Sequence, residues 1–268
     1  MLRLCLLPLL IVAATAKASN WTGNEAVQSV MARVLAGDCK GATRELNVGL
    51  ADRLPEIALL AGAMFEQGTC LKPDWNRAVS YYVLAHESGQ APARYRLAAG
   101  YAGAVGGRDM AAALWWSHRG APLVTGACQL AASETDDPDR FVAALTQWPK
   151  GRLEACTYVV GVMATMMGEI RYPSVALQYA VTGDVVVQFR PAIPRLDVKA
   201  DGTEELQAPG WVNGDRLRDR QSRAVTGSFA DTVRHAADRA LQRYVQPAGI
   251  DAGWVISTKY VFTATYAN

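Results

Sequence analysis

Few side chains in this 268-residue chain are suited to chemistry, and the cysteines come first. Setting aside Cys5, which lies in an apolar leader, leaves Cys39, Cys70, Cys128 and Cys156. An even count in an exported chain implies two disulfides, with four buried free thiols as the alternative reading. Four cysteines allow three pairings. The histidines, His86, His118 and His235, share no ligand spacing, so each is read as a surface or interhelical residue. Glu134, Asp136, Asp137 and Asp139 cluster without the spacing of a calcium loop and read as a solvated turn. No G-x-S-x-G, P-loop or H-E-x-x-H pattern occurs. The expectation is a protein without catalytic residues, cofactor or metal. Arg216, Arg218, Arg220 and Arg223 alternate with Asp215 and Asp219, as on a solvated face. With a net charge of only +2, nucleic acid is not an expected partner, no small-molecule substrate is indicated, and membrane contact is expected to be indirect.

The elements that hold these residues begin after a leader. Arg3, the apolar run Leu4–Ala14 and the small residues at Ala14-Thr15-Ala16 and Ala16-Lys17-Ala18 form a secretory signal peptide over residues 1–18. Cleavage gives a start near Lys17 or Ser19; retention as a short anchor is the alternative. The run is shorter than the ~20 residues that span a bilayer. The longest later apolar stretch, Tyr158–Met167, is shorter still. Half of the residues are apolar, enough for a sizeable core.

Residues 19–169 read as helix pairs. Ala78-Val79-Ser80-Tyr81-Tyr82 reappears 34 positions on as Ala112-Ala113-Leu114-Trp115-Trp116. Each copy follows a helical run bearing an aromatic, Phe65 or Tyr101, then glycine, Gly68 or Gly103, Gly106 and Gly107. Asp74 and Asp109 are N-caps, since a carboxylate accepts the free donors of a first turn. Glu25–Leu35 with Lys40–Ala51, and Pro122–Ser133 with Pro138–Gln147, read as flanking pairs. Arg152–Gly168 reads as an apolar helix capping the array. Phe65, Gly68, Leu71, Asp74, Ala78, Tyr81 and Tyr82 resemble the Sel-one-like repeat family, a relative of the tetratricopeptide repeats. Tyr101, Gly106, Asp109, Ala112, Trp115 and Trp116 resemble a second copy with a shortened turn. The resemblance implies an α/α solenoid and a protein-binding surface. If the helices alternate in direction, the start of the Cys39 helix lies beside the end of the Phe65 helix, where Cys70 sits. That favours Cys39–Cys70 and leaves Cys128–Cys156. Disulfides that staple adjacent helices also fit the resemblance.

Past Glu169 helical periodicity gives way to alternation. Tyr172–Leu177 opens a short helix. Asp184–Arg190 alternates, with Val185, Val187 and Phe189 on one face, and Arg195–Lys199 is its expected partner strand. Asp201-Gly202 reads as a turn. A helix over Ser228–Tyr244 carries Phe229, Val233, Ala236, Ala237, Ala240, Leu241 and Tyr244 on one face. A last strand over Trp254–Tyr266 places Trp254, Ile256, Tyr260, Phe262 and Tyr266 together. Tyr172-Pro173, Ala176, Gly183, Val185, Val187, Phe189, the Phe229 helix, Pro247 and the closing strand resemble the TonB C-terminal domain over residues 170–268. Two departures stand out: Arg243 where that family has tryptophan, and an insertion from Pro191 to Thr226. The expected architecture is multidomain, an all-α repeat domain followed by a small α+β domain with an antiparallel sheet.

This second resemblance implies a periplasmic location and recognition of a peptide by strand addition at a sheet edge. The closing strand, with Val255, Ser257, Lys259, Val261 and Thr263, is the candidate edge. Lys259 is alternatively a guard against aggregation. The expected function is a scaffold for an envelope protein, with an outer-membrane receptor or a periplasmic complex as the partner class. A TonB-like energy transducer is the alternative; it would need an inner-membrane helix and a Pro-rich spacer, neither of which is read in the sequence.

Overall fold

A computed structural model describes residues 22–103, 107–119, 123, 126–173, 176, 181–199, 206–207, 211–212, 215–216 and 228–262. The signal-peptide reading and the Asp201-Gly202 turn lie outside the described residues. The chain is mostly helical, with a small antiparallel sheet after the helices.

The helix starts follow from local chemistry. Helix α1 (Gly23–Leu35) opens on a reciprocal Thr22–Glu25 capping box, and α2 (Cys39–Ala51) on Asp38, which accepts from the Gly41 N–H. Helix α3 (Pro55–Gln67) has proline in its first turn and stops at Gly68, whose φ of 72° suits a residue without a Cβ. Asp74 opens α4 (Trp75–Glu87) by accepting from Arg77 N at 3.0 Å. Asp109 opens α6 (Met110–Ser117) by accepting from Ala112 N at 2.9 Å. Between these two, α5 spans Ala91–Ala102. The two capping aspartates also repeat a backbone bond: Asp74 N donates to Phe65 O and Asp109 N to Tyr101 O, each at 3.0 Å. Helices α1 and α2, α3 and α4, and α5 and α6 pack as successive pairs.

Small residues set how closely these pairs approach. Tyr82 is fully buried against Gly62, where an added Cβ would stand 2.5 Å from its ring. Phe65 stacks on Tyr81 with centroids 5.6 Å apart, and Trp75 meets Tyr101 edge-on at 5.3 Å. The two aromatic pairs are not buried in the same register. Ala78 and Tyr82 are buried, whereas in α6 the buried residues are Ala113, Leu114 and Ser117, with Ala112, Trp115 and Trp116 half-buried.

The next segment departs from expectation. No helix spans Pro122–Ser133: its described part contains a single 3-10 turn, Gly126–Cys128, and a one-turn helix, α7 (Ala132–Thr135). Gly126, at φ +69°, breaks the helical path, and the Cys128–Cys156 bond ties this loop to the following helix. Helix α8 (Pro138–Thr146) then forms on an Asp137 cap. Helix α9 (Lys150–Glu169) does not cap the end of an array. It lies at the centre, packed on α5 and α6 and on the later helix α10 (Ser228–Arg243). Its buried run from Ala155 to Met166 is unbroken, as expected of a helix surrounded by protein. No helix among the described residues is long and apolar enough to cross a membrane.

Strand β1 (Val181–Arg190) is the middle of the sheet. On one side it pairs antiparallel with β2 (Arg195–Lys199), and at Val181 and Thr182 it pairs antiparallel with the short β3 (Leu206–Gln207). Strands β4 (Trp211–Val212) and β5 (Asp215–Arg216) form a separate ribbon within the 191–226 insertion. On its other side β1 pairs with β6 (Ile256–Phe262), from Gly183 opposite Phe262 to Phe189 opposite Ile256. Val185, Val187 and Phe189 share a buried face with Ile256, Tyr260 and Phe262. Phe229 of α10 stacks on Phe262 at 4.3 Å, and Tyr158 of α9 reaches Phe189 at 5.9 Å. One continuous cluster of buried side chains therefore runs from α5 and α6 through α9 to the sheet and α10, across position 170. Of the short helix expected over Tyr172–Leu177, Tyr172 and Pro173 are not helical and Ala176 is; the other three residues lie outside the described ones.

Candidate partner-binding edge and its support

Strand β6 is hydrogen-bonded to β1 along one side, and among the described residues no strand pairs with its other side. An edge of this kind leaves a row of backbone donors and acceptors that another chain can extend. Its exposed face carries Ser257, Lys259 and Val261, the last 63% exposed. Ile256, Tyr260 and Phe262 anchor the opposite face in the core. Burial also raises the Tyr260 hydroxyl above its ordinary pKa.

One edge residue needs correction. Val255 precedes the strand instead of belonging to it. The Asp251–Gly253 turn, closed by Gly253 N donating to Asp251 Oδ1 at 2.8 Å and Trp254 N to Asp251 O at 3.1 Å, delays the extended path to Ile256. Val255 is still 46% exposed, beside an open hollow of about 610 Å³ formed with Ala127, Arg152, Ile250 and Trp254. Thr263 lies outside the described residues. Lys259 forms an ion pair with Asp184 of β1. Its charge is thus drawn back across the sheet toward the paired side, which weakens it as a guard on the free side.

A polar junction holds α10, and through it the sheet, against the helix pairs. Arg243 Nη2 donates to Glu66 Oε1 at 2.8 Å, and the Tyr82 hydroxyl donates to Glu66 Oε2 at 2.6 Å. Arg239 Nε donates to Glu169 Oε2 at 2.9 Å. Tyr244 OH donates to Ala99 O at 2.8 Å and lies 2.8 Å from Thr165 Oγ1. The tyrosine ring fits because α9 has glycine at 161, where a Cβ would stand 2.7 Å from it. Arg243 and Glu66 are 177 positions apart, and no local pattern in the sequence links them.

The cysteines close Cys39–Cys70, with Cα atoms 4.9 Å apart, and Cys128–Cys156, with 5.4 Å. Both separations suit an unforced bridge. Two disulfides in a chain of this size fit an oxidising compartment outside the cytoplasm.

The histidines are dispersed. His86 meets Trp116 edge-on at 5.3 Å; His118 contacts Leu114 O through Nδ1 at 2.7 Å and packs on Phe141; His235 is exposed on α10. Burial holds both His86 and His118 below the ordinary imidazole value, for His86 with added repulsion from Arg94. Two members of the acidic cluster are helix caps: Glu134 accepts from Ala131 N and Asp137 from Arg140 N, each at 2.9 Å. Among the described residues no group of three or more His, Cys, Asp or Glu side chains is placed to hold a metal ion. No family model, curated protein or solved structure matches the chain.

Proposed function

We propose that this protein is a non-enzymatic adaptor of the periplasm that binds an envelope protein through the free side of β6 and through the face of its helix pairs. The observation that carries the reading is the unpaired side of β6 among the described residues, flanked by exposed Val261 and Val255. In this reading the pairs α1–α6 are a short Sel-one-like array and the sheet with α10 is a TonB-like module. Repeated capping at Asp74 and Asp109 supports the first, and the helix–strand order supports the second. An outer-membrane receptor or a periplasmic complex is the partner class. The paired disulfides support export, and a leader over residues 1–18 supplies the route.

Deleting β6 is a poor test, because Ile256, Tyr260 and Phe262 belong to the core. A photo-crosslinking residue at Ser257, compared with one at exposed Val142 on α8, reads the edge directly in envelope preparations. Along a strand, neighbouring residues turn their N–H groups to opposite sides. Of Ser257→Pro and Thr258→Pro, one therefore blocks the free side while sparing the β1 ladder. The stably folded proline variant should lose the Ser257-dependent cross-link. An equal cross-link from Val142, or full retention in that variant, refutes strand addition.

A further inference from the structure

Two buried polar atoms near Tyr95 of α5 have no hydrogen-bond partner among the described residues: Arg94 Nε and the Tyr260 hydroxyl. Arg94 is only 8% exposed. Its guanidinium lies over the Tyr95 ring, 4.5 Å from the centroid, and Nη2 donates to the Tyr95 hydroxyl at 2.6 Å. That neutral hydroxyl is its one hydrogen-bonded partner, and no described carboxylate forms an ion pair with it. Because the Tyr95 oxygen accepts from Arg94, its own O–H proton is free to be given elsewhere. Tyr260, on the core face of β6, is 6% exposed. Packing brings the two tyrosines to the same end of α9. The Tyr95 Cβ lies 3.7 Å from where a Cβ on Gly168 would stand. Phe262, the next core-facing residue of β6 after Tyr260, meets Tyr172, just past that end, at 5.7 Å. Burial, and after it the neighbouring Tyr95, raise the Tyr260 hydroxyl above its ordinary pKa, so it keeps its proton as a donor.

We propose that Arg94, Tyr95 and Tyr260 hold a compact monovalent anion of halide size between α5 and β6. The groups offered are donors: one guanidinium N–H and two phenolic O–H groups. A buried guanidinium without a carboxylate needs a counter-charge, and buried donors need an acceptor. One anion meets both needs. A water molecule supplies no charge and brings two protons of its own to place. Side chains this enclosed exclude a macromolecular partner, whose chain would have to enter the core. Arg94 also sits near the start of α5, where side chains lean toward the positive helix end, and the N-cap residue Gln90 provides no side-chain acceptor there. The anion would tie the helix pairs to the strand that carries the free edge, and it stands whether or not that edge binds a partner.

The test uses the whole disulfide-bonded protein, with sodium chloride exchanged for sodium gluconate at constant ionic strength. For a dissociation constant of about 10 mM, about 100 mM chloride raises the folded-to-unfolded ratio about elevenfold. The thermal midpoint should then rise by about 3–6 °C over gluconate. Arg94→Met should flatten that response. Tyr260→Phe, which keeps the ring in the core, should weaken chloride affinity at least fivefold, yet its midpoint in gluconate should be no lower than that of the unaltered protein, since the hydroxyl removed has no partner there. Crystals grown in sodium bromide should show an anomalous peak against Arg94 Nε. Equal midpoints in chloride and gluconate, an undiminished response in Tyr260→Phe, or a Tyr260→Phe loss of equal size in both salts each overturns the assignment. So does a water, or a carboxylate of the chain itself, found against Arg94 in place of bromide.

Discussion

Replacing Arg243 with methionine tests the junction between α10 and the helix pairs. Arg243 is 26% exposed and its partner Glu66 only 8%, so removing the cation strands a nearly buried carboxylate that keeps one bond, from Tyr82. Breaking a buried pair from one side costs about 3–5 kcal/mol, and the remaining exposure of Arg243 places the expectation near the lower end, about 3 kcal/mol. Glu66→Gln with Arg243→Met removes both charges and should cost less than Arg243→Met alone, with a coupling of about 1–3 kcal/mol. Urea unfolding followed by circular dichroism, with both disulfides intact, measures all corners of the cycle. Using about 2–4 °C per kcal/mol for a chain of this size class, Arg243→Met should lower the thermal midpoint by roughly 6–12 °C. A loss below about 1 kcal/mol for Arg243→Met, or strict additivity in the double variant, would refute the junction as a coupled unit.

Gly100 faces the Trp75 ring, and a Cβ there would stand 1.9 Å from it, so Gly100→Ala should destabilise by about 1–3 kcal/mol through overpacking, read by urea midpoint. Unchanged stability would show that the ring can swing aside. Exposed Cys39 and half-buried Cys70 should be reduced and alkylated at limiting phosphine before Cys128 and Cys156, both fully buried; peptide mapping by mass spectrometry checks the order, and the reverse order would contradict the burial. His86 and His118 hold their protons less readily when folded, so the unfolded chain binds more protons below its ordinary histidine value. Their contribution is fully present above about pH 6.5 and is lost as pH falls through the lower folded values. The urea midpoint should drop from pH 7.5 to 5.5, and His118→Gln should flatten that slope; an unchanged slope removes His118 as a cause.

What the sequence shows and hides can be seen residue by residue. Asp74, Asp109 and Gly68 mark helix ends by chemistry confined to one turn, so their helices are legible. Val185, Val187 and Phe189 alternate, and they lie on the buried face of β1. Helix α9 was readable as a helix but not as the centre, because its uniformly apolar run has no polar face to show which side meets what. The break in helical structure from Gly126 to Ala131 goes with the positive φ of Gly126 and with a disulfide whose other end lies in α9. The surroundings of Glu169 are also invisible locally, since Arg96 reaches it from α5 and Arg239 and Arg243 from α10.

The central position of α9 bears on how the molecule is assembled. The part of its surface that α5 and α6 leave uncovered sheds water when α10 and β6, both encoded much later, settle onto it and onto β1. Such distant pairings carry a large loop-closure entropy and slow the search. Until residues 228–262 arrive, the nascent helices carry a sticky apolar flank, and this interval is when a chaperone would be needed most.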